Sequence, residues 1–258
     1  PSHLGIDGDL IMNSQDMTAE IVVLDKGFVH LVEWMGGDRA VVQAARVSYK
    51  SGGLESPEKD RKLIAYLLAH QHGTPFEHAV LKFHVKAPLF VARQWYRHRM
   101  SSYNETSFRY REAPEEFYFP EKWRLQDTIN KQGSVDAELE HRRLSDELWA
   151  SCQAAMNHYH RMLKSGISRE MARMVLPVNL FTEWYWTVNA RALMHFIGLR
   201  SEEHAQFEIR QYSHALASTM ALTMPWTWEA FSSGLDRARY AEMFSALAKE
   251  TPAAGGGS

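Results

Sequence analysis

The run Leu180–Val188 gathers Phe181, Trp184, Tyr185, Trp186 and Val188 into one short stretch. Aromatic and β-branched side chains at that density favour an extended strand. Val80–Val85 reads the same way, with Val80, Leu81, Phe83 and Val85 set around Lys82 and His84. Ile21–Trp34 is rich in Ile, Val, Leu and Phe, is broken at Lys26-Gly27, and reads as a strand or hairpin. Glu116–Pro120 reads as a further short strand.

Helical signals lie between these strands. Ser56 is a plausible N-cap with Pro57 at the first helical position, and Leu63, Ile64, Leu67 and Leu68 recur at helical spacing until Gly73 and Pro75 break the pattern. Asp38–Ser48 predicts a short helix, and Pro88 opens another that carries Phe90, Val91 and Trp95. Ser134–Ser165 predicts a long helix with Leu148, Cys152, Ala155, Met156, Tyr159 and Leu163 on one side, stopped by Gly166. Ser168–Val175, Asn189–Leu199 and Ser201–Thr223 complete the helical set. Residues 1–19 read as a loose arm, and "PAAGGGS" at the end reads as a flexible tail after a C-terminal helix. No repeat period and no internal linker divides the chain, so the expectation is one α+β domain with helices flanking its sheet.

With 258 residues and 45% apolar composition, the chain can bury a substantial core. Its formal charge of −2 argues against a general nucleic-acid binder, which is usually basic. One cysteine, Cys152, excludes a disulfide framework within the chain and makes a cytoplasmic setting the default. No apolar run has the length of a membrane span.

The ordinary catalytic motifs are absent. There is no Cys pair or His-Glu-x-x-His for a metal, and His158 and His160 point apart on a helix, so no metal site is expected. Dinucleotide-fold, P-loop and nucleophile-elbow glycine patterns are missing. Cys152, on the apolar side of a helix, reads as packing. One local anomaly remains. Between Arg93 and Arg111 there are five arginines and no lysine, interleaved with Ser, Asn, Thr and Tyr in "RHRMSSYNETSFRY". Guanidinium forks match phosphates bidentately and stack on flat rings, and hydroxyls with backbone N–H groups complete a phosphate cradle. The stretch is expected to straddle a helix end and a loop, and to bind a phosphorylated ligand with a planar ring. Arg191 and His195, four apart on a helix, form a second and weaker cluster, with Arg200 closing that helix and Arg173 on the helix before it.

These residues resemble the flavin-dependent thymidylate synthases. The signature Arg-His-Arg, seven residues, Ser is present as Arg97-His98-Arg99 through Ser107. "HGTPFEH", "KAPLFVARQWYRHR", "VLPVNLFTEWYWTVNARALMHF" and "LRSEEHAQFEIRQY" are similar to that family in the expected order, and the resemblance covers about residues 20–231. It implies a mostly antiparallel sheet and a homotetramer with active sites at subunit interfaces. It further implies bound FAD, reduction by NADPH, methylenetetrahydrofolate as one-carbon donor, and conversion of dUMP to dTMP, with no nucleic-acid or membrane partner.

The resemblance also assigns roles. His72 and Thr74 belong to a flavin-side loop, and Arg97, His98 and Arg99 contact flavin, with Arg97 also near the nucleotide. Glu105, Thr106, Ser107, Phe108 and Arg109 wrap dUMP, Glu105 also serving the cofactor, and Ser107 places the ring without acting as nucleophile. Gln94, Trp95 and Tyr96 help from a neighbouring subunit. Asn189, Ala190, Arg191 and His195 line FAD, His195 standing where some relatives carry Asn. Arg173 meets the phosphate. Arg200 sits at the uracil edge, where a cation stabilises the N3 anion and enriches C5. Two other readings of the same residues stay open: an RNA-binding module built on aromatic-interleaved arginines, and a flavin NADPH oxidase without methyl transfer.

Overall fold

The computed structural model describes residues 20–48, 55–137 and 139–250; the arm expected over 1–19 and the tail expected over 252–258 lie outside them. Among the described residues, strands β1 (Ile21–Val23), β2 (Gly27–Met35), β3 (Val80–Pro88), β4 (Ser101–Glu105) and β7 (Phe181–Asn189) form one sheet in the order β1-β2-β3-β7-β4. Every neighbouring pair in it is antiparallel. A separate hairpin joins β5 (Arg124–Gln126) and β6 (Ser134–Asp136).

The two runs that first suggested strands pair with each other over their full length, from Val80 opposite Asn189 to Pro88 opposite Phe181. Alternate residues of this pair, Leu81, Phe83, Val85, Trp184, Trp186 and Val188, are buried on one face. Helices cover that face: α1 (Asp38–Ala45), α2 (Pro57–Ala69), α3 (Leu89–Trp95), α6 (Ala190–Arg200), α7 (Phe207–Thr223) and α8 (Pro225–Ser233). The opposite face carries Phe28, His84 and Tyr185 in ring contact, flanked by Glu183 and Lys86. A second, smaller core forms where α4 (His141–Lys164) and α5 (Arg169–Ala172) pack Cys152, Met156, Tyr159 and Ala172 against Phe108, Phe117 and Leu180.

Local signals explain most boundaries. Ser56 Oγ accepts the Lys59 N–H at 3.4 Å with Pro57 in the first turn, so α2 starts where the sequence indicates. Asn189 Oδ1 accepts the Ala192 N–H at 2.9 Å and opens α6. Other boundaries differ from expectation. The long helix starts at His141, not Ser134, because Ser134–Asp136 pairs with Arg124–Gln126. The helix expected from Ser201 starts at Phe207, after a turn. Glu116–Pro120 forms only an isolated bridge, Phe117 to Leu180, in place of a strand. The arginine-rich stretch does not stay a loop after α3: residues Ser101–Glu105 join the sheet as its edge strand, opposite Trp184–Val188 of β7.

The start of α8 is secured from far away in sequence. The buried Asp38 carboxylate, at the head of α1, accepts the N–H groups of Trp226 (2.8 Å) and Thr227 (2.9 Å) and the Thr227 hydroxyl (2.6 Å). Replacing Asp38 with Ala strands three donors, two of them buried. The expected cost is about 2–4 kcal/mol, to be read as a lower urea midpoint with an unchanged slope.

Candidate active site

The helix α3 ends at Trp95, and the chain turns through Tyr96–Met100 into β4. Two hydroxyls hold this turn: Ser101 Oγ donates to the His98 carbonyl at 2.9 Å, and Tyr103 Oη donates to the same carbonyl at 2.7 Å. The turn brings His98 against the last part of α6. Its ring lies 4.6 Å from that of Phe196 and 5.8 Å from that of His195. Arg200 Nε donates to His98 Nε2 at 3.0 Å.

This contact fixes the chemistry of both groups. A guanidinium N–H can only donate, so His98 Nε2 must accept and the neutral ring carries its proton on Nδ1. Burial, then Arg200, then His195 push the His98 pKa down to about 4, which keeps the ring neutral at physiological pH. Burial also lowers the pKa of Arg200, but a guanidinium keeps its charge in proteins. The Nη groups of Arg200 have no hydrogen-bond partner among the described residues, so a positive, planar donor edge is available to a ligand.

A second group forms at the other end of α6. Arg191 Nη1 meets Glu77 at 2.6 Å, and its guanidinium lies so close to Gly73 that a Cβ there would come within 2.6 Å of Nε. His72, Gly73, Thr74 and Arg191 line a groove of about 530 Å³ floored by Ala44, Ala45 and Leu67. Gln71 adopts a left-handed φ of 57°, which turns the chain out of α2 towards this loop. Asn189 is spent partly on capping α6.

A third group lies beyond the far end of β4. Glu105 accepts the Thr182 hydroxyl at 2.7 Å, and the Thr106 N–H donates to the Glu183 carbonyl at 2.8 Å. Burial, then the nearby Glu105 carboxylate, hold the Tyr96 phenol well above its ordinary pKa, although its buried hydroxyl is not in hydrogen-bond geometry with that carboxylate. Ser107 Oγ accepts the Arg109 N–H at 3.3 Å. Arg109 pairs with Glu170 of α5 at 3.5 Å, and Arg173 follows α5 directly.

Within one chain, then, the residues expected to form one site fall into three groups. His98, His195 and Arg200 meet; His72, Thr74 and Arg191 meet; Arg109 is tied to the segment bearing Arg173. Arg97 and Arg99 are exposed beside His98 and make no ion pair among the described residues. Three of the expected contact residues keep their side chains in a core. Trp95 is fully buried, edge-on to Trp184 and Trp186 and close to Phe196, so its ring serves as scaffold. Ala190 is buried and its N–H donates to the Ala79 carbonyl. Phe108 packs into the second core.

Some participants were not singled out from sequence. Glu77 pairs with Arg191, and Thr182 hydrogen-bonds Glu105. Gln206 binds the side chain of Gln94, and its own amide donates to Glu208 at 2.9 Å. Glu208 is buried, and also accepts Arg124 at 2.6 Å and the Tyr118 hydroxyl at 3.1 Å. Glu77, Thr182 and Gln206 lie inside the family-like stretches, which was the available signal; Arg124 carried none. Cys152 is buried beside Asn179, and burial raises its pKa, so it is a poor nucleophile. No group of three or more potential metal ligands occurs among the described residues, and no helix among them is long and apolar enough to cross a membrane.

The family model described as "Thymidylate synthase complementing protein" matches residues 30–226. A flavin-dependent thymidylate synthase of Thermus thermophilus is 52% identical over 215 residues, spanning 83% of this chain and 79% of that protein. One from Thermosipho africanus is 50% identical over 215 residues, spanning 82% and 93%. The crystal structure of the UMP/dUMP methylase PolB from Streptomyces cacaoi, bound with 5-Br dUMP, superimposes with a TM-score of 0.77 at 37% identity, covering 83% of this chain and 97% of that one.

The low pKa of His98 predicts a pH signature. In an unfolded chain the ring takes up a proton near 6.5; in the fold it does so only near 4. Between those values the unfolded state binds more protons, so stability is fully present above 6.5 and is lost as pH falls towards about 4. His214, depressed to about 4 mainly by burial, adds to the same slope. In calorimetric melts across this range, His98→Gln is expected to flatten the fall in Tm relative to the parent.

Proposed function

The chain belongs to the flavin-dependent thymidylate synthase family, and from that premise we propose that it converts dUMP to dTMP by reductive methylation. Methylenetetrahydrofolate is the carbon donor, FAD the bound cofactor and NADPH the reductant. The observation that carries this reading is the Arg200–His98 contact, which joins the Arg-His-Arg signature to the end of α6 at 3.0 Å.

Neutral His98 holds Arg200 by its Nε, which leaves the paired Nη donors for a pyrimidine edge. A permanent cation beside N3 favours the deprotonated ring and moves electron density to C5, the carbon that must attack the one-carbon unit. No cysteine adduct is needed for that activation, in keeping with a buried, inert Cys152. Arg109 and Arg173 form the phosphate end of the site, and Ser107, with its hydroxyl proton unengaged, orients the nucleotide between the two ends. Glu170 shields Arg109 until a phosphate takes its place.

The residues present suit FAD. Gly73 allows the Arg191 side chain to lie close against the backbone, and Thr74 and His72 offer donors around the same groove. With His98 and His195, these groups would hold the cofactor along α6, and Arg97 and Arg99 would counter the negative charge of its phosphates and reduced ring. When bound, FAD supplies the two-electron redox chemistry that the side chains lack.

The spacing of the groups supports a shared site. His98 and Arg109 lie beyond opposite ends of β4, whose five residues span roughly 15 Å, and no contact among the described residues joins the Arg200 group to the Arg109–Arg173 group within a chain. A homotetramer with sites at subunit interfaces resolves this, the Arg200 end coming from one subunit and the Arg109–Arg173 end from another.

Arg200→Ala is expected to reduce tritium release from C5-labelled dUMP by at least about a hundredfold while the purified protein stays yellow. Near-parental release would remove the proposed activation. NADPH consumption with no folate-dependent release in the parent would favour a plain oxidase. Cys152→Ala is expected to retain turnover within about twofold; a folded but inactive variant would restore a cysteine mechanism.

A further inference from the structure

The segment from Asp236 into α9 (Ala241–Glu250) lies beyond residues 30–226, which the family model matches, yet it grips the turn that follows Arg200. Tyr240 Oη donates to the Gly198 carbonyl at 2.7 Å, one of the last carbonyls of α6, which has few partners at a helix end. The Glu203 N–H donates to the Arg239 carbonyl at 3.1 Å. The Arg239 side chain reaches the Glu202 carboxylate, its Nε at 3.2 Å. Arg210 of α7 completes the clasp: it forms an ion pair with Glu242 of α9 at 2.9 Å and donates to the Glu203 carbonyl. Met243 is fully buried and Tyr240 nearly so, which anchors the segment on the main core. From inside, the turn is tied by Ser201 Oγ to Ser213 Oγ at 2.7 Å.

We infer that the Asp236–Met243 strap is a positioning element of the active site: it fixes the α6–α7 turn and thereby the aim of Arg200 at one end and of Gln206 at the other. The turn spans residues 201–206, between α6 and α7. Arg200 is the last residue of α6, where a helix frays unless its carbonyls are satisfied. Its only side-chain hydrogen bond among the described residues is the one to His98, so the backbone must supply the remaining constraint. Gln206 holds Gln94 across from it. Tyr240 and Arg239 act through the turn and touch neither group, so they are positioning residues.

The inference rests on Arg200 contacting the nucleotide, and its test separates the two ideas. In the full-length chain, Tyr240→Phe combined with Arg239→Gln removes the two clasp side chains while keeping Met243 and the packing. The expected result is an increase of about tenfold in KM for dUMP or a similar fall in kcat, with FAD affinity unchanged within about twofold because the flavin groove lies at the opposite end of α6. Arg239→Lys, which keeps a cation for Glu202, should recover most of the loss. Flavin-absorbance titrations with dUMP on an Arg200→Ala background should show no further weakening from Tyr240→Phe, because Tyr240 holds the Gly198 carbonyl on the Arg200 side of the turn. Unchanged kcat and KM in the double variant, whatever its Tm, would overturn the inference, as would full additivity with Arg200→Ala. Should the double variant fail to fold, Tyr240→Phe alone is measured in the same way, and unchanged kcat and KM there overturn the inference equally. If Arg200→Ala itself leaves dUMP binding and turnover intact, the reading of the site fails; loss in Arg200→Ala with none in the strap variants rejects the strap alone.

Discussion

The pairing of β3 with β7 governs the rest of the molecule. These antiparallel strands run register-matched from Val80–Asn189 to Pro88–Phe181, and each passes directly into a helix, β3 into α3 and β7 into α6. Because the strands are antiparallel, the two helices leave from opposite ends of the pair. Both fold back over the same aromatic face and converge. Trp95 near the end of α3 sits among Trp184, Trp186 and Phe196, an arrangement of edge-on rings that sets the approach of the two helices to within the tolerance of close packing. The indole N–H groups of all three tryptophans lack conventional acceptors.

That convergence is what allows a histidine from one segment and an arginine about a hundred residues later to share a hydrogen bond. The electrostatics follow from it. A protonated His98 beside Arg200 would be a like-charge pair with little water to screen it. The fold therefore selects the neutral ring, and the neutral ring in turn selects the acceptor that holds the guanidinium. Charge is concentrated on the one partner that cannot lose it.

Much of this was legible in the residues, and the gaps have physical causes. β3, β7, α2 and α6 follow from periodicity and caps that act within a few residues. β4 was missed because an edge strand with polar Ser101, Ser102, Asn104 and Glu105 shows no apolar alternation; only Tyr103 faces the core rings. The early start assigned to α4 followed helix-forming residues, but Ser134 is claimed by Arg124 Nε at 3.0 Å and by strand pairing. The turn before α7 depends on Ser213, Arg210 and Arg239, none of which is local to it. Within the site, the Arg-His-Arg run was evident because the chemistry is written consecutively. Trp95 and Ala190, adjacent to functional positions in sequence, proved to be core, since neighbours on a helix point in different directions. Thr182 and Gln206 act across the fold, and nothing about a single Thr or Gln announces that.

β4 has a last consequence. As the outermost strand beside β7, it presents a row of backbone amides and carbonyls with no strand partner among the described residues. Such a border can template another chain. Its polar side chains and the neighbouring cations Arg97 and Arg99 discourage indiscriminate stacking while leaving the border reachable. The exposed charge of Arg97 and Arg99 thus acts as a guard against aggregation, and trading those arginines for neutral residues would compromise solubility.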